Sequence, residues 1–143
     1  MPKFSKISRE RLSGCHNDLQ VLFNEVIENF DCTVLCGQRG EDEQNEAFEK
    51  GFSKLKFPQS KHNKVPSLAV DVVPYPVNWK NTNRMRFFAG YVLGIAEMMY
   101  NMGWLENRIR WGGDWDMDTE TNDQRFDDLP HFEIVLKHDE KTI

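Results

Sequence analysis

Leu68-Ala69-Val70-Asp71-Val72-Val73 is a short apolar run, rich in β-branched residues, broken by one carboxylate and ended by Pro74-Tyr75-Pro76. Its residue types predict a strand buried in a core, stopped where prolines can no longer donate to a ladder. Asp71 is the anomaly, because an ionised carboxylate in such a strand is costly unless it is paired or bound to a metal. The run therefore predicts both a core strand and a site on it. The partners open to Asp71 are Arg39, Lys61 or a metal ion.

Working outward, Phe57 to Pro66 is rich in prolines and polar residues and reads as a loop. Before it, Glu41 to Lys54 carries acids in its first turn and lysines in its last, which suits the dipole of a helix, with Ala47, Phe48 and Leu55 as its buried stripe. Cys32 to Cys36 is a short β-rich segment stopped by Gly37. Leu12, Cys15, Leu19, Leu22, Val26 and Phe30 recur at helical spacing, so the first 30 residues are largely helical. The helix starts after Ser8, or after Asn17 as a cap with Gln20 in the reciprocal position. Beyond the central run, Asn83 to Met102 is the strongest helix, with Phe87, Tyr91, Ile95, Met98 and Met102 on one face and Gly103 as its stop. Arg108 to Trp111 and Phe132 to Leu136 read as further strands, joined by a polar, acidic loop from Gly112 to Asp128. About three helices interleaved with short strands predict an α+β fold with a small, mainly antiparallel sheet.

The 143 residues suit one domain, and 39% apolar with 29% charged residues excludes disorder as the main state. A net charge of -5 disfavours binding to phosphate backbones, so nucleic acid is not an expected partner. Charged residues follow closely on Met1, and Glu97 and Asn101 interrupt the longest apolar stretch, so neither a secretory signal nor a membrane span is expected. Synthesis in the cytoplasm follows. Cys15, Cys32 and Cys36 are odd in number and form no CxxC pair, which predicts reduced, buried thiols. On one strand Cys32 and Cys36 would be ~13 Å apart, too far to clamp one ion.

Of the four histidines, His62 enters the central strand from a polar loop and His131 lies in Asp127-Asp128-Leu129-Pro130-His131-Phe132-Glu133. Two histidines and Asp71 would match a catalytic zinc with its fourth position open to water, whereas structural zinc sites are usually closed by cysteines. The sequence closely resembles the D-alanyl-D-alanine carboxypeptidase-like zinc peptidases. The resemblance rests on Ser60-Lys61-His62, Ser67-Leu68-Ala69-Val70-Asp71, Trp111-Gly112-Gly113-Asp114-Trp115 and Asp128-Leu129-Pro130-His131-Phe132-Glu133, and runs from about His16 to Val135. Within that family it is most similar to phage endolysins that cut L-alanyl-D-glutamate bonds in peptidoglycan. The resemblance implies a hedgehog/DD-peptidase-like fold and one Zn2+ per chain held by His62, Asp71 and His131. It also implies Asp128 as the acid/base and Arg39 as a group assisting the carbonyl or oxyanion. His62 and Asp71 are nine positions apart, two more than in the commonest members, so the Asn63 to Ser67 loop must bulge.

The residue types suit that chemistry. A carboxylate near zinc-bound water can accept its proton, and a cationic donor can stabilise the developing negative charge. Without His131, Asp128 would read as a turn aspartate, and Arg39 as a surface partner of Glu41 or Asp42. Glu133 shares a strand face with His131 and suits an acceptor that orients the imidazole. Ser60 and Gln44 are weaker candidates, each expected on a loop or helix surface, and Lys61 and Lys64 are expected in solvent. Trp111 and Trp115 read first as packing residues, with Trp115 a candidate cleft wall. Asp114, Asp116, Asp118 and Glu120 invite a calcium loop, but Thr119 and Arg125 occupy the EF-hand glycine and terminal glutamate positions, leaving only a looser secondary Ca2+ site as the minor reading.

The expected protein is a monomeric catalytic domain spanning residues 1–143, without a separate cell-wall-binding domain. It acts on the stem peptide of peptidoglycan after release through a holin-type pore. A D-Ala-D-Ala carboxypeptidase or dipeptidase is the alternative enzyme, and a non-catalytic zinc-containing peptidoglycan-binding module is the alternative of another class.

Overall fold

A computed structural model describes residues 1–121 and 127–136. In chain order the elements are α1 (Lys6–Ser13), α2 (Asn17–Ile27), β1 (Cys32–Cys36), α3 (Glu41–Glu49), a 3-10 turn (Lys61–Asn63), β2 (Ala69–Pro74), α4 (Thr82–Asn101), β3 (Arg108–Gly112) and β4 (Asp128–Val135). The strands form one antiparallel sheet in the order β1-β2-β4-β3, so the run bearing Asp71 is internal to it. This is an α+β fold, with four α-helices among the described residues.

Side-chain alternation divides the sheet between structure and chemistry. Val34, Val70, Val72, Ile109, Trp111, Phe132 and Ile134 join the core formed with Leu19, Phe23 and Val26 of α2 and Phe88, Ala89 and Val92 of α4. Phe132 meets Phe23 edge-on, with ring centroids 5.4 Å apart. Asp71, His131, Glu133 and Arg110 occupy the alternate positions. Asp71 lies opposite His131 across β2 and β4, and Glu133 opposite Arg110 across β4 and β3.

Several boundaries differ from the sequence reading. The N-terminal helical stretch is two helices, because the chain turns at Gly14-Cys15 to make a bridge between buried Cys15 and Ser67. Ser5 caps α1, accepting from the Ser8 N–H, and His16 caps α2, its Nδ1 accepting from the Asp18 N–H in the role expected of Asn17. Helix α3 ends before Gly51, whose φ of 78° is in the left-handed region. Its buried residue is the polar Gln44; Ala47 and Phe48 are only half-buried and Leu55 is exposed.

Helix α4 buries Met85, Phe88, Ala89, Val92, Ala96 and Met99, while Phe87, Met98 and Met102 are exposed. Apolar residues surround this helix, and the face with Ala89 and Ala96 allows the closer approach to the sheet. Strand β4 starts at Asp128, four residues earlier than expected. Gly112 makes this start accessible, because a Cβ there would collide with the Asp128 carbonyl. Leu129, Pro130 and His131 lie between the paired positions Trp111–Phe132 and Gly112–Asp128, an irregularity of the kind that re-aims side chains at sites. No helix among the described residues is long and apolar enough to cross a membrane.

Candidate metal centre

Two strands and a turn bring His62, Asp71 and His131 together. His62 Nε2 and His131 Nδ1 each lie 3.3 Å from Asp71 Oδ1, and one ligand atom from each residue falls within 4.8 Å of the others. The cross-strand register supplies the Asp71–His131 pair. The 3-10 turn supplies His62. Ser60 Oγ accepts from the His62 N–H at 3.2 Å, and Asn63 Oδ1 accepts from the Ser60 N–H at 3.0 Å. The extra residues before Asp71 form a closed loop, in which the Leu68 N–H donates to the Lys61 carbonyl and the Ser67 N–H to that of Gly14.

The second nitrogen of each histidine is engaged. His62 Nδ1 donates to the Gly37 carbonyl at 2.7 Å, and His131 Nε2 donates to Glu133 Oε1 at 2.8 Å. These acceptors select the tautomers that leave His62 Nε2 and His131 Nδ1 as lone-pair donors facing Asp71, as ligand histidines require. The electrostatics also call for a cation. Burial opposes charge on both imidazoles, yet Asp71 outweighs it, pushing His62 up to about 10 and, with Glu133, His131 up to about 9. Burial likewise opposes charge on Asp71, but the two histidines hold its carboxyl far below the usual carboxylate range. One carboxylate gathers positive charge from both rings, so the donor set fits a divalent ion that would displace those protons.

Around this trio, burial pushes the Asp128 carboxyl up to about 6 against the opposing pull of His131, and its Oδ2 lies 3.7 Å from His131 Nδ1. Arg39 faces the site, with Nη2 3.6 Å from Asp71 Oδ2 and Nη1 donating to Gln44 Oε1 at 2.9 Å. Its side chain thus turns to Asp71 and Gln44 and not to the expected surface alternatives, Glu41 and Asp42. The Asp71 alternatives are therefore partly combined, because Arg39 pairs with it alongside the histidines. Lys61 instead pairs with Glu133 at 3.0 Å and donates to the Ile134 carbonyl at 2.5 Å, so it is half-buried and not solvated as expected.

Ser60 lies in the loop, as expected, and is buried as the cap of the turn, whereas Gln44 is fully buried, which corrects the helix-surface placement expected for it. Trp115 is half-buried with its ring centroid 5.4 Å from that of His131, whereas Trp111 is a core residue donating to the Leu129 carbonyl. The site opens into a groove of about 940 Å³ whose walls include Arg39, Phe52, Trp79, Trp115, Asp128 and Leu129.

Cys15 and Cys32 are buried, but Cys36 is only half-buried. A register shift between Val34 and Cys36 sets it opposite Asp71, with Sγ 3.5 Å from Arg39 Nη2 and 3.9 Å from His62 Nδ1. Sequence reasoning, which took all three cysteines as buried thiols from their odd number and the lack of a CxxC pair, missed its proximity to the site. Asp114, Asp116 and Asp118 converge, each offering an oxygen within 4.8 Å of the others. Asp114 Oδ2 accepts from the Thr119 N–H at 2.9 Å, and Asp116 and Asp118 accept from N–H groups two residues on, so these carboxylates brace a tight turn. The rest of the expected acidic loop, residues 122–126 including Arg125, lies outside the described residues.

A profile of the family described as phage L-alanyl-D-glutamate peptidase matches residues 1–135. Among solved structures, the crystal structure of Serratia marcescens L-Ala D-Glu endopeptidase ChiX is similar with a TM-score of 0.68 at 25% identity, covering 92% of this chain and 90% of that one. No curated protein matches.

Proposed function

The chain belongs to the phage L-alanyl-D-glutamate peptidase family, and from that premise we propose that it cleaves the L-alanyl-D-glutamate bond of peptidoglycan stem peptides with one zinc ion held by His62, Asp71 and His131. The observation that carries the metal reading is the pair of imidazole nitrogens turned toward Asp71 while Gly37 and Glu133 occupy the opposite nitrogens. When bound, zinc supplies Lewis acidity toward the scissile carbonyl and lowers the pKa of water toward 7.

The surrounding residues supply the rest. Asp128, with its carboxyl raised toward neutrality by burial, takes the proton from the attacking water and returns it to the departing D-glutamate amine. Arg39 offers a guanidinium to the oxygen on which negative charge develops, in a half-buried position where such a donor acts strongly. Glu133 fixes the His131 ring, Ser60 caps the turn that presents His62, and Trp115 forms one wall of the groove. A groove of about 940 Å³ has room for several residues of a stem peptide around the site. The protein works as a single monomeric catalytic unit on the cell wall, which it reaches through a holin-type pore.

The metal reading is tested by zinc content. Purified protein is expected to hold one zinc per chain, and His62→Ala, Asp71→Ala and His131→Ala each to lose most of it while remaining folded. Full zinc occupancy in any of these variants would remove that residue from the ligand set.

A further inference from the structure

Glu133 is buried on the functional face of the sheet, and its two oxygens have different tasks. Oε1 accepts from His131 Nε2, while Oε2 receives Arg110 Nη2 at 2.8 Å, Arg110 Nε at 3.3 Å and Lys61 Nζ at 3.0 Å. The fork of Arg110 arises directly from the register, since Arg110 on β3 pairs with Glu133 on β4. Its remaining arm turns the other way, with Nη1 donating to the Trp115 carbonyl at 3.3 Å. Trp115 is the residue whose ring lies beside His131 at the groove. One guanidinium thus spans the carboxylate that orients a ligand and the backbone that carries a wall of the cleft.

We propose that Arg110 is a positioning residue that locks Glu133, and through it the His131 imidazole, in the metal-binding orientation while holding Trp115 against the site. The planar fork is what the geometry uses. Nε and Nη2 converge on Oε2 and hold that oxygen on the β3 side, which leaves Oε1 facing His131, and the same rigid group has a third donor direction left for the Trp115 carbonyl. Lys61 delivers charge to the same oxygen, and its contacts tie the His62 turn to β4.

This inference rests on the metal reading above, and the experiment separates the two. Zinc affinity is measured for the metal-stripped protein by competition with a chromophoric chelator, independently of peptidase activity. Arg110→Gln is expected to weaken zinc about 10-fold, the lower end of what loss of a ligand's supporting partner costs. Arg110→Lys should fall between it and the parent, because it keeps the charge and loses the fork. In a Glu133→Gln background, Arg110→Gln should cause little further loss, since its effect passes through that carboxylate. The Trp115 tie predicts a raised KM on peptidoglycan for both Arg110 variants. If Arg110→Gln does not fold, Arg110→Lys carries the test, with an affinity several-fold below the parent.

Equal zinc affinity in the parent and the folded variants overturns the role of Arg110 while leaving the metal reading intact, as does an undiminished loss in the Glu133→Gln background. A parent chain that binds no zinc overturns the metal reading and this inference with it.

Discussion

Gln44→Leu exchanges a fully buried amide for an apolar side chain of similar size, so its effect reports hydrogen bonding with little contribution from a cavity. The Gln44 Oε1 accepts from Arg39 Nη1 at 2.9 Å and Asn63 Nδ2 at 3.2 Å, and its Nε2 donates to Ser53 Oγ at 2.9 Å and the Leu55 carbonyl at 2.6 Å. Leu55 is exposed and Ser53 half-buried, so water can replace those two bonds in the variant. The Arg39 and Asn63 bonds are deeper. A net ~0.5–1.5 kcal/mol for the neutral bond and ~1.5–3 kcal/mol for the charged one give a loss of about 2–4.5 kcal/mol.

Urea unfolding followed by circular dichroism should show a lower midpoint with an unchanged slope. With its anchor gone, Arg39 should also stabilise the oxyanion less well. The expected fall in kcat is about 10-fold, below the 10²–10³ typical of deleting such a donor outright. A Gln44→Leu protein with parental stability and kcat would refute the claim that this amide holds Arg39 in place.

Asp128→Asn should retain zinc and lose about 10² to 10⁴ in kcat, the usual contribution of a general acid/base, as followed by zinc analysis and turnover on cell walls; loss of the metal would make Asp128 a ligand. Removing zinc with a chelator should abolish activity while leaving the far-UV circular dichroism largely intact, because the core of α2, α4 and the sheet lies on the opposite side of the strands from the ligands. Phe88→Ala should cost about 3–5 kcal/mol in urea unfolding, since its ring is buried against Phe30 and Phe132. Phe87→Ala should cost about 1 kcal/mol or less, because Phe87 lies on the exposed side of α4.

The part of the site that sequence makes legible is the part encoded in short stretches. Asp71 announces itself as a charge in an apolar strand, and His131 and Glu133 share a face by the two-residue period of a strand. The supporting network is hidden because its partners meet only through the sheet. Lys61 reaches Ile134, 73 positions away, and Arg110 reaches Glu133 through the β3–β4 register, which neither strand's own sequence specifies. Gln44 looks like a surface helix residue until the loop at Ser53 to Leu55 folds over its amide. In α4 two apolar stripes compete, and hydrophobicity alone favours the bulkier one over the stripe whose alanines let the helix approach the sheet. Cys36 is displaced from strict alternation by a register shift that leaves no mark in its neighbours' residue types.

The central claim is the zinc-dependent cleavage of one bond, and it is tested most directly by mass spectrometry of purified peptidoglycan digested with the zinc-loaded and the metal-stripped protein. The loaded protein is predicted to create new L-alanine carboxyl ends and new D-glutamate amino ends, and the stripped protein none. Free D-alanine or D-Ala-D-Ala as the sole product, or the same new ends appearing without metal, would contradict the account.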